Sequence, residues 1–199
     1  MLQPKERTIT LPAEERILIS ARREIEEQGI LGLRIMDVAR GAQASLSLIY
    51  KYFGSRDGLL ARVLGDMYEE IQATSLAAYM QQLNGNNSLT VDDLVRALPQ
   101  FDNEAFRLNQ YARLQILATS IKNPDLRARL EFLTQEQMRT WREAIADLKS
   151  RMKPGEEFDE RFFLMILSTQ SMYYRELLGE TSFSRGDYTS YVLHILKKV

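Results

Sequence analysis

Between Arg34 and Arg62 the sequence gathers five cations, Arg34, Arg40, Lys51, Arg56 and Arg62, against two carboxylates, Asp37 and Asp57, and sets Tyr50, Tyr52 and Phe53 among them. Such a cluster suits phosphate contact: cations displace the counterions condensed on a nucleic-acid backbone, and phenols donate to its oxygens. Just ahead lie Ser45, Leu46, Ser47 and Leu48, whose hydroxyls can read base edges and whose leucines can meet a thymine methyl group. The segment therefore offers both kinds of contact that DNA recognition requires. Arg34, Lys51, Arg56, Tyr50 and Tyr52 would position the protein on the backbone, and residues 45–48 would choose the sequence.

The rest of the chain removes competing chemistries. With 26 basic and 27 acidic residues the net charge is −1, so a basic signal exists only locally. There is no cysteine and one histidine, His194, which leaves no material for thiolate chemistry or a His/Cys metal cluster and almost none for a Ser–His–Asp hydrolase. No catalytic residue, metal or cofactor is expected. The carboxylates Asp66, Glu69 and Glu70 keep an all-helical enzyme open as an alternative, although no Glu-x-x-His pair accompanies them. The 199 residues, 45% hydrophobic and 27% charged, suit a folded protein of one domain or two small ones. No run of 18 apolar residues exists, and Met1–Thr10 lacks the apolar stretch of a secretory signal, so no membrane partner and a cytoplasmic location are expected.

Helical periodicity must hold these groups in place. Pro12, Glu14 and Glu15 open a helix over about 12–28 that ends before Gly29. Ile35, Val38, Ala39 and Ala42 repeat at i, i+3, i+4 and i+7 and predict a short second helix, closed around Gln43. Ser45 is an able N-cap for a third helix, running to about Phe53 with Ile49 and Phe53 on its inner face. A longer run follows from Ser55 towards Leu83, and Asn84–Ser88 is the clearest loop. Thr90 can cap a helix ending near Pro99, and another spans about 103–121. Asn123 and Pro124 break the pattern. Further helices are predicted from Leu126 to about Met152, from Phe158 to Leu178, and over about 187–197. No alternating run argues for a sheet.

A short helix, a tight turn and a second helix starting at a serine have the proportions of a helix-turn-helix, though spacing alone fits many helical hairpins. The residues add more. Arg34-Ile35-Met36-Asp37-Val38-Ala39-Arg40-Gly41-Ala42-Gln43-Ala44-Ser45, then Leu48-Ile49-Tyr50-Lys51-Tyr52-Phe53 and Arg56-Asp57-Gly58-Leu59-Leu60, resemble the N-terminal domain of the TetR family of bacterial transcriptional regulators. The resemblance covers about residues 14–64. It implies an all-α protein with a helix-turn-helix DNA-binding domain over 10–64 and a helical effector-binding and dimerisation domain over 65–199. Four positions depart from the family pattern. Gln43 stands where a glycine is usual in the turn, at a cost of about 1 kcal/mol or a different turn. Arg34 stands where a threonine usually caps the second helix, and Leu46 and Leu48 replace smaller or polar residues.

The resemblance further implies a homodimer on a (pseudo)palindromic operator, with repression relieved by a small-molecule effector of unknown identity. Phe158, Phe162, Met165, Ile166 and Thr169, with Tyr188, Tyr191, Val192 and Ile195, resemble the two helices that form the family's dimer interface. Met67, Tyr68, Ile71, Phe101, Phe106, Tyr111, Leu114, Met138, Trp141 and Tyr173 are the candidates for an effector pocket, and any of them can equally be plain core. Arg113, Glu136 and Arg175 could orient a polar ligand or pair with each other. Binding would shift the dimer towards a geometry that no longer fits DNA, with the helix after Ser55 as the lever. A helical adaptor whose head has lost DNA binding is the alternative that the departures at Gln43 and Arg34 keep open.

Overall fold

Pro12 opens helix α1 (Ala13–Gly32), where the missing amide hydrogen costs nothing, and Glu14 and Glu15 in the first turn complement the helix dipole. A computed structural model describes residues 11–98, 104–160, 163 and 185–196, without the side chains of 104–107, 185, 187, 188 and 191. Among the described residues the chain is all-helical: α1, α2 (Ile35–Gly41), α3 (Leu46–Phe53), α4 (Arg56–Gln82), α5 (Val91–Arg96), α6 (Glu104–Ser120), α7 (Pro124–Ser150) and α8 (Arg185–Leu196). It divides into two compact units, one of residues 1–67 and 118–130, the other of 68–117 and 131–199.

The first unit is built on α1, which buries Ile17, Ser20, Ala21, Ile25 and Ile30 along one face. The helix does not stop at Gly29 as its sequence suggests. Gly29 takes φ 73° and ψ 167°, a conformation open almost only to glycine, and the chain kinks there before one more turn to Gly32. Ser20 donates from Oγ to the Val38 carbonyl at 3.0 Å, and Arg16 donates from Nε to the Ala42 carbonyl at 3.0 Å. Both bonds dock α2 and the following turn on α1. Val38, Ala42, Ile49, Leu59 and Leu64 are buried here, each large aliphatic side chain contributing about 1.5–3 kcal/mol of transfer free energy.

Where α4 begins, Ser55 Oγ accepts from the Gly58 amide at 2.9 Å. A Cβ at Gly58 would lie 2.0 Å from the Phe53 carbonyl oxygen, so only glycine lets the end of α3 pass so near the start of α4. In the same unit α7 starts earlier than its pattern suggests. Asn123 and Pro124 do not merely break the preceding helix: Asn123 Oδ1 accepts the Leu126 amide at 2.9 Å, and Pro124 is the first helical residue.

The second unit packs Tyr79, Leu83, Leu89, Leu94, Trp141, Ile145, Leu148, Phe158, Phe163, Val192 and Leu196 into one core. Tyr79 stands between Trp141 and Phe163, with ring centroids at 5.6 and 6.1 Å, and donates its hydroxyl to the Leu94 carbonyl at 3.1 Å. Burial pushes the Tyr79 phenol far above its ordinary pKa. Thr90 and Asp93 form a reciprocal capping box at the start of α5, as the threonine suggests, and α5 ends at Arg96. The 84–90 loop is pinned to the end of α7 by Leu89 N to Arg151 O at 2.9 Å, Lys153 N to Leu89 O at 2.8 Å and Arg151 Nη1 to Leu83 O at 2.9 Å. Of the helix predicted over 158–178, all but Phe158–Glu160 and Phe163 lies outside the described residues.

Candidate nucleic-acid interface

The turn between α2 and α3 is a departure that the backbone absorbs. Gln43 has φ 51°, the one positive value at a non-glycine among the described residues, and Ala44 N donates to Ala39 O at 3.0 Å across the turn. The sequence therefore keeps the left-handed turn and accepts its local cost, rather than adopting a different turn. Arg34 is the N-cap of α2 by backbone position but makes no side-chain cap bond, so its guanidinium is not spent there.

Helix α3 starts at Ser45, whose Oγ accepts the Leu48 amide at 3.2 Å and lies 2.9 Å from Ser47 Oγ. Ile49 is fully buried against the rest of the head and Phe53 half-buried. At about 100° per residue, Leu46, Tyr50, Ser47 and Lys51 then fall within one arc of about 140° on the outer side. All four are exposed. Tyr52 is exposed on the other flank, where its ring lies 6.2 Å from that of Phe53, and Leu48 is half-buried. The outward arc thus carries an apolar side chain, a hydroxyl, a phenol and an ammonium group, the set that major-groove contact uses.

The local excess of charge is smaller than the sequence implies. Arg40 pairs with Asp37 at 2.8 Å, and Arg62 pairs with Asp66 at 2.9 Å and Glu14 at 3.7 Å. Arg56 turns inward, donating from Nη2 to the Ile30 and Leu33 carbonyls at 3.4 and 3.3 Å. It ties the kinked end of α1 to the start of α4. Arg34 and Lys51 are exposed and make no ion pair among the described residues, which leaves them as the cations most available to phosphate. Arg16 and Ser20 also position the head and carry no signal in the sequence beyond their polar type.

The expected effector residues that the structure describes lie in several surroundings. Trp141 and Met138 belong with the second unit's core, and Tyr68 and Ile71 are buried. Tyr111 is half-buried, Leu114 is exposed and Met67 closes the first unit. Phe101 and Tyr173 lie outside the described residues, as does the Phe106 side chain. Arg113 stacks over the Tyr68 ring at 5.3 Å and donates to its hydroxyl at 3.3 Å, whereas Glu136 pairs with Arg139; Arg175 lies outside the described residues. For the expected dimer surface, Phe158 and Val192 are buried in the chain's own core and Ile195 is half-buried. Phe162, Met165, Ile166 and Thr169, and the side chains of Tyr188 and Tyr191, lie outside the described residues. Asp66 is held in ion pairs by Arg62 and by Arg129, the latter at 3.4 Å.

A buried scaffold that turns one face of α3 outward at the end of a tight turn is a helix-turn-helix of the DNA-binding class. Residues 17–63 match the model of the family described as bacterial regulatory proteins, tetR family. Solved structures share the fold over 92–96% of the chain's length. One, from Rhodococcus sp. and assigned to the TetR family of transcriptional regulators, is 23% identical over 92% of this chain and 95% of its own, with a TM-score of 0.59. Salmonella enterica GusR is 20% identical over 96% and 98%, at 0.58, and the multidrug binding protein EbrR, solved with imidazole, is 19% identical over 94% and 96%, also at 0.58. No curated protein matches the sequence. The chain thus joins a TetR-type head to the fold of TetR-family transcriptional regulators.

Proposed function

We propose that the protein is a ligand-responsive transcriptional repressor that binds a (pseudo)palindromic operator as a homodimer in the cytoplasm. The observation that carries the reading is the outward arc of α3, Leu46, Ser47, Tyr50 and Lys51, on a head in which Arg16, Ser20, Arg40 and Arg62 are engaged within its own structure. Lys51, Arg34, Tyr50 and Tyr52 hold phosphates, while Ser47 and Leu46 face base edges with Leu48 beside them. Arg56 contributes by holding the head in shape and through the guanidinium edge that remains exposed. Ser45 contributes first as the cap of α3.

One three-helix head meets too few bases to select a site, so two heads a helical turn or more apart supply specificity. Domains over 10–64 and 65–199 fit this division of labour. Helices α4 and α7 each have residues in both compact units, and a ligand that favours one setting of them alters head spacing by population shift. EbrR, which shares the fold, is a multidrug binding protein, and this supports a ligand-binding role for the second unit.

Selection of bound fragments from the source genome, followed by titration of the selected duplex with salt, tests the reading. A linear fall of log affinity with log salt on a site with two related half-sites is the expected result. Absence of duplex binding at low salt would overturn it in favour of a helical adaptor.

A further inference from the structure

In the second unit, α4 and α7 line a half-open cavity of about 390 Å³, with Glu69, Gln72, Ala73, Leu76, Leu133, Glu136 and Gln137 in its walls. None of the expected effector residues whose side chains are described lines it. Two observations mark it as a binding site rather than a packing fault. Gln72 is 6% exposed, receives a hydrogen bond from Gln137 Nε2 on its Oε1, and leaves its Nε2 without a partner among the described residues. A buried amide donor left unpaired is rare in folded proteins and points to an acceptor supplied from outside the chain. The lining is also one-signed: it holds two glutamates and, among the described residues, no lysine or arginine.

From this geometry we infer that the cavity takes a small, mainly apolar amine whose hydrogen-bond acceptor meets Gln72 Nε2 and whose cationic end lies towards Glu69 and Glu136. The inference deepens the regulator reading and rests on it for the consequence of binding. Ala73, Leu76 and Leu133 supply the apolar wall, and the volume admits a molecule of one ring and a short arm. The carboxylates penalise an anion of the same shape by like-charge repulsion. Arg139 bonds Glu136 and lies 3.7 Å from Glu143, so this one cation is shared between two carboxylates of α7.

Isothermal titration of the full-length protein with three benzamides that differ in one arm tests this: N-[2-(diethylamino)ethyl]benzamide, N-propylbenzamide and hippurate. The amine is expected to bind most tightly, the neutral compound next, and hippurate at least about tenfold more weakly than the amine. Gln72→Leu, which removes the orphan donor at nearly constant volume, is expected to weaken the amine about tenfold. Ala73→Leu, on the exposed side of α4, fills the space without touching a polar group and is expected to abolish binding. Failure of all three compounds, hippurate binding as well as the amine, or unchanged affinity in both variants would each overturn the assignment. Duplex binding by the ligand-free protein is read separately. Loss of compound binding with duplex binding intact counts against the cavity alone; compound binding by a protein that ignores DNA supports the cavity and counts against the regulator reading.

Discussion

Asn123 donates from Nδ2 to the Asp57 carbonyl at 3.0 Å, across 66 residues, while its Oδ1 caps α7 through the Leu126 amide at 2.9 Å. One buried side chain therefore fastens the start of α7 to the first turn of α4, one residue after Arg56. Whatever displaces α7 at this corner also acts on the helix that carries the helix-turn-helix head's last core residues, Leu59, Leu60 and Val63.

Asn123→Ala removes a cap worth about 1 kcal/mol and leaves the Asp57 carbonyl without this donor for about another 1 kcal/mol. Denaturant unfolding should show a loss of about 2 kcal/mol. Asn123→Asp keeps the cap acceptor and loses the donor, and it should fall between the variant and the parent.

Gln43→Gly addresses the turn. The left-handed backbone costs glutamine about 1 kcal/mol, and glycine gives part of that back as extra freedom of the unfolded chain. The variant is expected to be between unchanged and about 1 kcal/mol more stable, with operator affinity retained. A loss of stability would show that the glutamine side chain does something the backbone angle does not reveal.

Ser45 and Ser47 sit two residues apart and should behave differently. Ser45→Ala removes the cap of α3 and should cost about 1 kcal/mol of stability. Ser47→Ala should leave thermal unfolding nearly unchanged and alter the relative affinities for operators that differ at single base pairs. A selection experiment on each variant distinguishes the two roles.

Asp93 gives the second unit an acid-sensitive contribution. Its bonds from the Thr90 amide and hydroxyl hold its carboxyl below the ordinary carboxylate range. The folded-state value is the lower one, so the stabilisation is complete above the unfolded value of about 4 and is lost as pH falls through the depressed value. Asp93→Ala should therefore cost about 1 kcal/mol at pH 7 and progressively less below about pH 4, as followed by urea unfolding at a series of pH values.

The all-helical class, the Ser45 cap, the Thr90 cap and the 84–88 loop were legible in the sequence because each rests on a local rule about capping, turn residues or period. Gln43 was legible as a misfit, and the structure decides that the turn stays left-handed while the residue bears the strain. Charge was less legible. Arg40, Arg56 and Arg62 look alike to Lys51 in a count of cations, yet ion pairs and backbone carbonyls far along the chain occupy them. The cavity between α4 and α7 was invisible for a related reason: aromatics and methionines are the usual cue for a pocket, whereas alanines, leucines and paired glutamines line this one. Asn123 reads as a helix breaker because a sequence shows what asparagine and proline interrupt more clearly than what they begin.

The measurement that bears most directly on the central claim is a salt titration of operator binding for the parent, Lys51→Ala and Arg56→Ala, with stability measured alongside. Lys51→Ala should weaken related and unrelated duplexes alike and lower the salt slope by about 1 per site contacted, with unfolding unchanged. Arg56→Ala should lose stability as well as affinity, because its carbonyl bonds to Ile30 and Leu33 go with it. A Lys51→Ala protein that binds DNA with the parent's affinity and slope would contradict the account, since α3 would then not be the surface that meets the duplex.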